Sequence, residues 1–148
     1  MENEQAGQPV DGRETRDAAE LARIADVHGV VLLLQFGSSV TRKLHARSDV
    51  DLAALLDRDR PTLREHADLL HDLERLFPAR EVDLALLNHT DPLFLKKILE
   101  SCRILHGDPR RLQRLRIYAF KRYQDHRRYL DLERRFVTRR FAGVRLDG

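Results

Sequence analysis

A chain of 148 residues, 42% apolar and 34% charged, has room for one domain around one core, and its composition suits a globular rather than a disordered protein. No apolar run approaches the roughly 20 residues that span a bilayer. The polar, acidic opening MENEQAGQPVDGRE is unlike a signal peptide, and the single cysteine, Cys102, excludes an internal disulfide or a CxxC metal site and suits a reducing cytoplasm. The net charge of +3 hides a gradient, since residues 1–28 carry seven acids against three bases and residues 103–148 carry fourteen bases against five acids. A basic third of this kind reads first as a solvated Arg-rich helix face, and second as a surface for an acidic partner, a nucleotide or nucleic acid.

In chain order, residues 1–13 form a polar leader with Gly7, Pro9 and Gly12. Ala18, Leu21, Ala22 and Ala25 have helical spacing over 14–28, and Gly29 is placed to end that helix. VVLLLQF (30–36) is short, β-branched at its start and continuously apolar, which predicts a strand buried on both faces and broken at Gly37. A polar, basic connection with room for one short helix fills 38–47, and VDLAALL (50–56) is the second strand. After the turn DRDRP, Leu63, Ala67, Leu70, Leu73 and Phe77 stripe a helix over about 62–77, opened by a Thr62–Glu65 capping box and stopped by Pro78. EVDLALLN (81–88) is the third strand. Asp91-Pro92 supplies an N-cap and a first-turn proline for a helix expected to run to about 106, with Gly107 in the C′ position. Residues 109–140 are a long Arg-rich helical stretch with room for one break.

The expected order, α-β-α-β-α-β-α-α, is an α/β (α+β) domain: a small mixed sheet flanked by helices over 14–107, with a C-terminal helical extension over 108–148.

The second and third strands each carry acid beside an apolar run: Asp49 and Asp51 on one, Asp83 on the other. Residues two apart on a strand share a face, about 7 Å apart. Like charges that close repel, and burying them is costly unless a cation lies between. A hard divalent ion such as Mg²⁺ takes carboxylate oxygens together with substrate phosphate. A third carboxylate on a neighbouring strand makes a cluster able to hold two ions, the arrangement used for in-line phosphoryl or nucleotidyl displacement. Aspartate is depleted from strand interiors, so solubilising a strand edge explains the trio poorly, although it would explain Asp83 alone. Gly37-Ser38 adds a tight turn after a buried strand, followed by backbone N–H groups suited to a terminal phosphate.

Gly37-Ser38, ten residues, then Asp49-Val50-Asp51 resembles the GS-x10-DxD signature of the polymerase-β-like nucleotidyltransferases, over roughly residues 20–105. The length, the SDVDLAALL wording and the Tyr- and Arg-rich C-terminal helix look most like the minimal nucleotidyltransferases, and within them the MntA-type antitoxins of HEPN/MNT toxin–antitoxin pairs. The resemblance implies that Gly37 and Ser38, with Ser39, bind the triphosphate of ATP. It implies that Asp49 and Asp51 ligate Mg²⁺, and that Asp83 ligates a second Mg²⁺ and helps deprotonate the acceptor. In the antitoxin group the acceptor is a tyrosine hydroxyl of the cognate HEPN toxin, to which AMP is transferred with loss of pyrophosphate, so that a hetero-oligomer with the toxin is expected. The chain departs from the family's Gly-Ser-x-Ala-Arg-Gly at Thr41 and Arg42, which leaves Arg42, Lys43 or Arg47 to contact phosphate.

Two other readings compete: a nucleotidyltransferase acting on a small molecule, which usually needs a larger acceptor domain, and an antitoxin acting by binding alone. Seven scattered histidines form no HxxxH pair, Cys102 continues the apolar spacing of Leu95, Ile98 and Leu99, and Arg122 to His126 are too closely spaced for an RNase motif. Tyr118, Tyr123 and Tyr129 among arginines read as helix packing or a partner surface. Membrane association and direct nucleic-acid binding are not expected.

Overall fold

A computed structural model of the chain describes residues 12–37, 40 and 49–142. The elements are α1 (Gly12–His28), β1 (Val30–Phe36), β2 (Val50–Leu56), α2 (Leu63–Glu74), β3 (Val82–Leu86), a single 3-10 turn (Leu87–His89), α3 (Pro92–Glu100), β4 (Cys102–Gly107) and α4 (Pro109–Ala142). The four strands form one mixed sheet in the order β3-β2-β1-β4. β1 is antiparallel to both β2 and β4, and β2 runs parallel to β3 through the α2 crossover.

Both faces of the sheet are covered, which is why β1 and β2 are continuously apolar. On one face Leu33, Leu52, Ala54 and Val82 pack against Ile24 and Ala25 of α1 and Leu69 and Leu73 of α2. On the other, Leu32, Leu34 and Ala53 meet Leu95, Ile98 and Leu99 of α3 with Leu112 and Ala119 of α4. Each fully buried leucine contributes about 1.5–3 kcal/mol through burial. The expected caps are present. Gly29 takes φ +66° after α1, Thr62 and Glu65 form the reciprocal capping box, and Asp91 accepts hydrogen bonds from Leu93 and Phe94 with Pro92 in the first turn.

The segment 102–107 differs from expectation. α3 stops at Glu100, six residues short of the expected end, and Cys102–Gly107 is a strand on the outer edge of β1. A helix there would leave the outer N–H and C=O groups of a buried strand unpaired, and β4 pairs them. The apolar spacing misleads because Cys102 lies against the same core from the strand as it would from a continued helix. Gly107 therefore sits at a strand end, with φ +112°, rather than after a helix. The third strand is also shorter than 81–88, because Asn88 leaves the ladder and pairs through its side chain instead. α2 ends at Glu74 rather than near 77. α4 runs unbroken for 34 residues. Among the described residues, no helix is long and apolar enough to cross a membrane.

Candidate active site

Three strand ends converge at one edge of the sheet: the C-terminal end of β1 and the N-terminal ends of β2 and β3. Phe36 opposes Asp51 across β1 and β2, and Asp51 is level with Asp83 across β2 and β3. Alternation places all three side chains on the face covered by α3 and α4, since Phe36 and the next-but-one residues Ala53 and Ala85 pack there. Asp49 is exposed just ahead of β2, Asp51 is half-buried, and Asp83 is exposed.

Gly37 closes β1 against this cluster. Its φ is +77°, and a Cβ on it would lie 2.5 Å from Asp51 Oδ2 and 3.3 Å from Asp51 Cγ. Only a residue without a side chain lets the turn come this close to the carboxylate. The chain then turns, with the N–H of Val40 donating to the Gly37 carbonyl at 3.2 Å. Strand register and the glycine thus bring Gly37 close against Asp51 of the DxD pattern, although they are fourteen residues apart in sequence.

The electrostatics of the edge are unfavourable as it stands. Burial pushes the Asp51 carboxyl above its usual range, and the negative charges of Asp83 and then Asp49 push it further. Among the described residues no cation and no hydrogen-bond donor is paired with any of the three. Nor, among those residues, is any group of three His, Cys, Asp or Glu side chains drawn close enough to form a ready metal cage. The donor set nevertheless fits a hard divalent cation: all oxygen, all carboxylate, mutually repelling, with Gly37 set closely beside Asp51. Mg²⁺ fits the residues better than Zn²⁺, which takes nitrogen and sulfur ligands.

Of the residues expected in the site, Gly37, Asp49, Asp51 and Asp83 are brought to this edge. Ser38, Ser39, Arg42, Lys43 and Arg47, with the departure at Thr41-Arg42, lie outside the described residues. Sequence pattern did not single out the aromatic pair beside the aspartates. Phe36 and Phe94 pack edge-to-face with centroids 6.2 Å apart and planes at 80°. Only the position of Phe36 immediately before Gly37 hinted at it.

The chain matches the family model described as "Polymerase beta, Nucleotidyltransferase" over residues 20–110, from within α1 to the first turn of α4. No curated protein matches the chain. Among solved structures it resembles one of a tri-AMPylated Shewanella oneidensis HEPN toxin in complex with MNT antitoxin, at 16% identity over 88% of this chain and 99% of the other, with a TM-score of 0.61. A toxin–antitoxin structure with AMP-PNP aligns at 17% identity over 85% of this chain and 98% of the other, with a TM-score of 0.63. A protein described provisionally as a minimal nucleotidyltransferase is 30% identical over 66% of this chain and 98% of its own, with a TM-score of 0.50.

Proposed function

The chain belongs to the polymerase β nucleotidyltransferase family, and we propose that it is an antitoxin that transfers AMP from ATP to a tyrosine hydroxyl of a cognate HEPN toxin and so neutralises it. One observation carries the reading: the Gly37 turn is set against Asp51, with Asp83 level with it on the next strand. A triphosphate grip and a hard-cation site are adjacent at one sheet edge, as nucleotidyl transfer requires.

The roles are those that the sequence pattern implies. Gly37, Ser38 and Ser39 present the turn to the triphosphate, and Arg42, Lys43 and Arg47 supply positive charge to it. Asp49 and Asp51 would hold Mg²⁺, and Asp83 would hold a second ion from the neighbouring strand. When bound, the two ions lower the pKa of the attacking hydroxyl and offset charge on the departing pyrophosphate. Asp83, the exposed member of the facing pair, accepts the phenolic proton as the hydroxyl oxygen bonds to the α-phosphorus and the bond to pyrophosphate breaks. Asp51, half-buried beside the Gly37 turn, is the member of the pair kept for the metal.

A protein acceptor suits the distal part of α4. Beyond its contact with α3, Tyr129, Leu132 and Phe136 are 62–65% exposed, more apolar surface than a solvated helix needs. Two toxin–antitoxin complexes share the fold, one with an AMPylated toxin and one with an ATP analogue. The test is mass spectrometry of the cognate toxin after incubation with this chain, Mg²⁺ and ATP. The expected result is addition of AMP to a tyrosine, abolished in Asp51→Asn. An unmodified toxin, or full neutralisation by Asp51→Asn, would defeat the reading.

A further inference from the structure

The aromatic pair Phe36 and Phe94 lies beside the sheet edge that carries Asp51. Phe36 and Asp51 are direct partners across the β1–β2 ladder, so their side chains leave the same face of the sheet as immediate neighbours. The ring of Phe94 lies against Phe36 nearly at right angles, 6.2 Å between centroids. Whichever ring offers its edge, at least one face of Phe94 is left uncovered by Phe36. Phe94 is 42% exposed, whereas Leu95, Ile98 and Leu99 on the same helix are 0–4% exposed. An exposed apolar ring therefore stands against Phe36, the cross-strand neighbour of Asp51.

It is also held rigidly. Phe94 is in the first turn of α3, where Asp91 Oδ1 accepts hydrogen bonds from the backbone N–H groups of Leu93 at 2.9 Å and Phe94 at 3.3 Å. Pro92 fixes the entry to that turn. The ring therefore stands on a capped helix end rather than on a loop, in contact with Phe36, the cross-strand neighbour of Asp51. A flat apolar face at a fixed place is what a nucleobase stacks on, and such stacking is tolerant of base identity because every base presents a π-face.

The geometry points to Phe94 as the stacking surface for the base of the nucleoside triphosphate, with Phe36 as the ring that props it beside Asp51. The inference rests on the nucleotide-transfer reading above, but it concerns binding rather than transfer.

Isothermal titration of the full chain in Mg²⁺ with two probes, AMP-PNP and inorganic tripolyphosphate, tests it. Phe94→Ala is expected to weaken AMP-PNP binding roughly tenfold or more and to leave tripolyphosphate, which has no base, unchanged. Phe94→Tyr keeps a stacking face of the same shape and is expected to stay within a few-fold of the parent for both probes. Unchanged AMP-PNP affinity in Phe94→Ala overturns the inference. So does an equal loss of both probes, which would mean that Phe94 only supports the sheet edge. Loss of toxin modification with AMP-PNP binding intact also overturns it, since the face would then receive the acceptor ring. Absence of AMP-PNP binding to the unsubstituted chain would overturn the nucleotide reading itself and this inference with it. Failure of AMP transfer with AMP-PNP bound through Phe94 would defeat only the proposed transfer and leave this inference standing.

Discussion

At its C-terminal end β2 finishes at Leu56, whose N–H donates to Asn88 Oδ1 at 3.0 Å and whose carbonyl accepts from Asn88 Nδ2 at 2.9 Å. The same amide reaches the Arg58 carbonyl at 2.7 Å. Arg58 in turn donates to the His28 carbonyl at 2.9 Å and pairs with Glu65 and Asp57. His28 Nε2 lies 2.7 Å from Asp72 Oδ2. Each of the carboxylates Asp57, Glu65 and Asp72 at this end has a partner, and hydrogen bonding holds Glu65 and Asp72 below their usual range. At the N-terminal end of the same strand, Asp49 and Asp51 have no such partners among the described residues, and burial with like charge raises Asp51. One strand thus joins an end whose polar groups are satisfied to an end whose charges are opposed. The first stabilises the fold, and the second is where the proposed function places a cation and a phosphate. Strain and opposed charge collect where a protein binds and reacts.

Exchanging the properties of the two ends should separate activity from stability. The largest effect is expected from Asp51→Asn, which on the proposed reading removes a metal-holding charge and should lower AMP transfer on the order of 10³-fold or more. The same change relieves repulsion, so the melting temperature of the metal-free chain should hold or rise at neutral pH. A parallel loss of activity and stability would mean that Asp51 is a structural residue. Asn88→Ala is the counterpart at the other end. It deprives Leu56 N–H, Leu56 C=O and Arg58 C=O of a partner at once. The expected cost is roughly 2–3 kcal/mol, less than three full desolvation penalties because the site is partly open to water. Urea unfolding should show this, with AMP transfer per folded molecule unchanged.

The two ends were not equally legible in the sequence. The active edge could be read because its chemistry runs against local preference: aspartate in an apolar strand, and glycine where a buried strand stops. The capping box at Thr62–Glu65 and the Asp91-Pro92 helix start were readable for the same reason, since each is a short-range pattern with one mechanism. Asn88 carried no such signal. Its hydrogen bonds span 30 to 32 residues and depend on β3 lying beside β2, which no local window contains. β4 was hidden for a related reason, because CRILHG prolongs the apolar spacing of α3 and only the open edge of β1 decides in favour of a strand. Phe94 could be read as a helix residue, but its meeting with Phe36 is a property of the folded sheet.

Gly37→Ala probes the contact between turn and carboxylate. A methyl there would sit 2.5 Å from Asp51 Oδ2 on a backbone with φ +77°. The backbone strain alone is about 1–3 kcal/mol. Because the neighbour is a side chain rather than backbone, part of the clash can be relieved by turning Asp51 away, and that movement would misplace a proposed metal ligand. The expected outcome is a modest fall in melting temperature together with a fall in AMP transfer of about 10- to 100-fold. Loss of stability with activity per folded molecule preserved would show that the close approach of Gly37 to Asp51 has no part in the reaction.

The smallest expected effect belongs to the pair that pins α1 to α2. The hydrogen bond from His28 is the main cause that lowers the Asp72 pKa, so the folded state favours the ionised carboxylate. A carboxylate with a depressed folded value contributes stability above its unfolded pKa and loses it as pH falls through the lowered folded value. Both side chains are partly exposed, at 14% and 27%, so the contribution at neutral pH is about 0.5–1 kcal/mol. Asp72→Asn should therefore melt slightly below the parent at pH 7. That gap should close as pH falls below the ordinary carboxylate range, because the parent then loses its charge as well. The change leaves the opposed carboxylates of the active edge untouched, so AMP transfer per folded molecule should be unaffected. A gap that persisted at acid pH would assign the effect to packing of α1 on α2 rather than to charge.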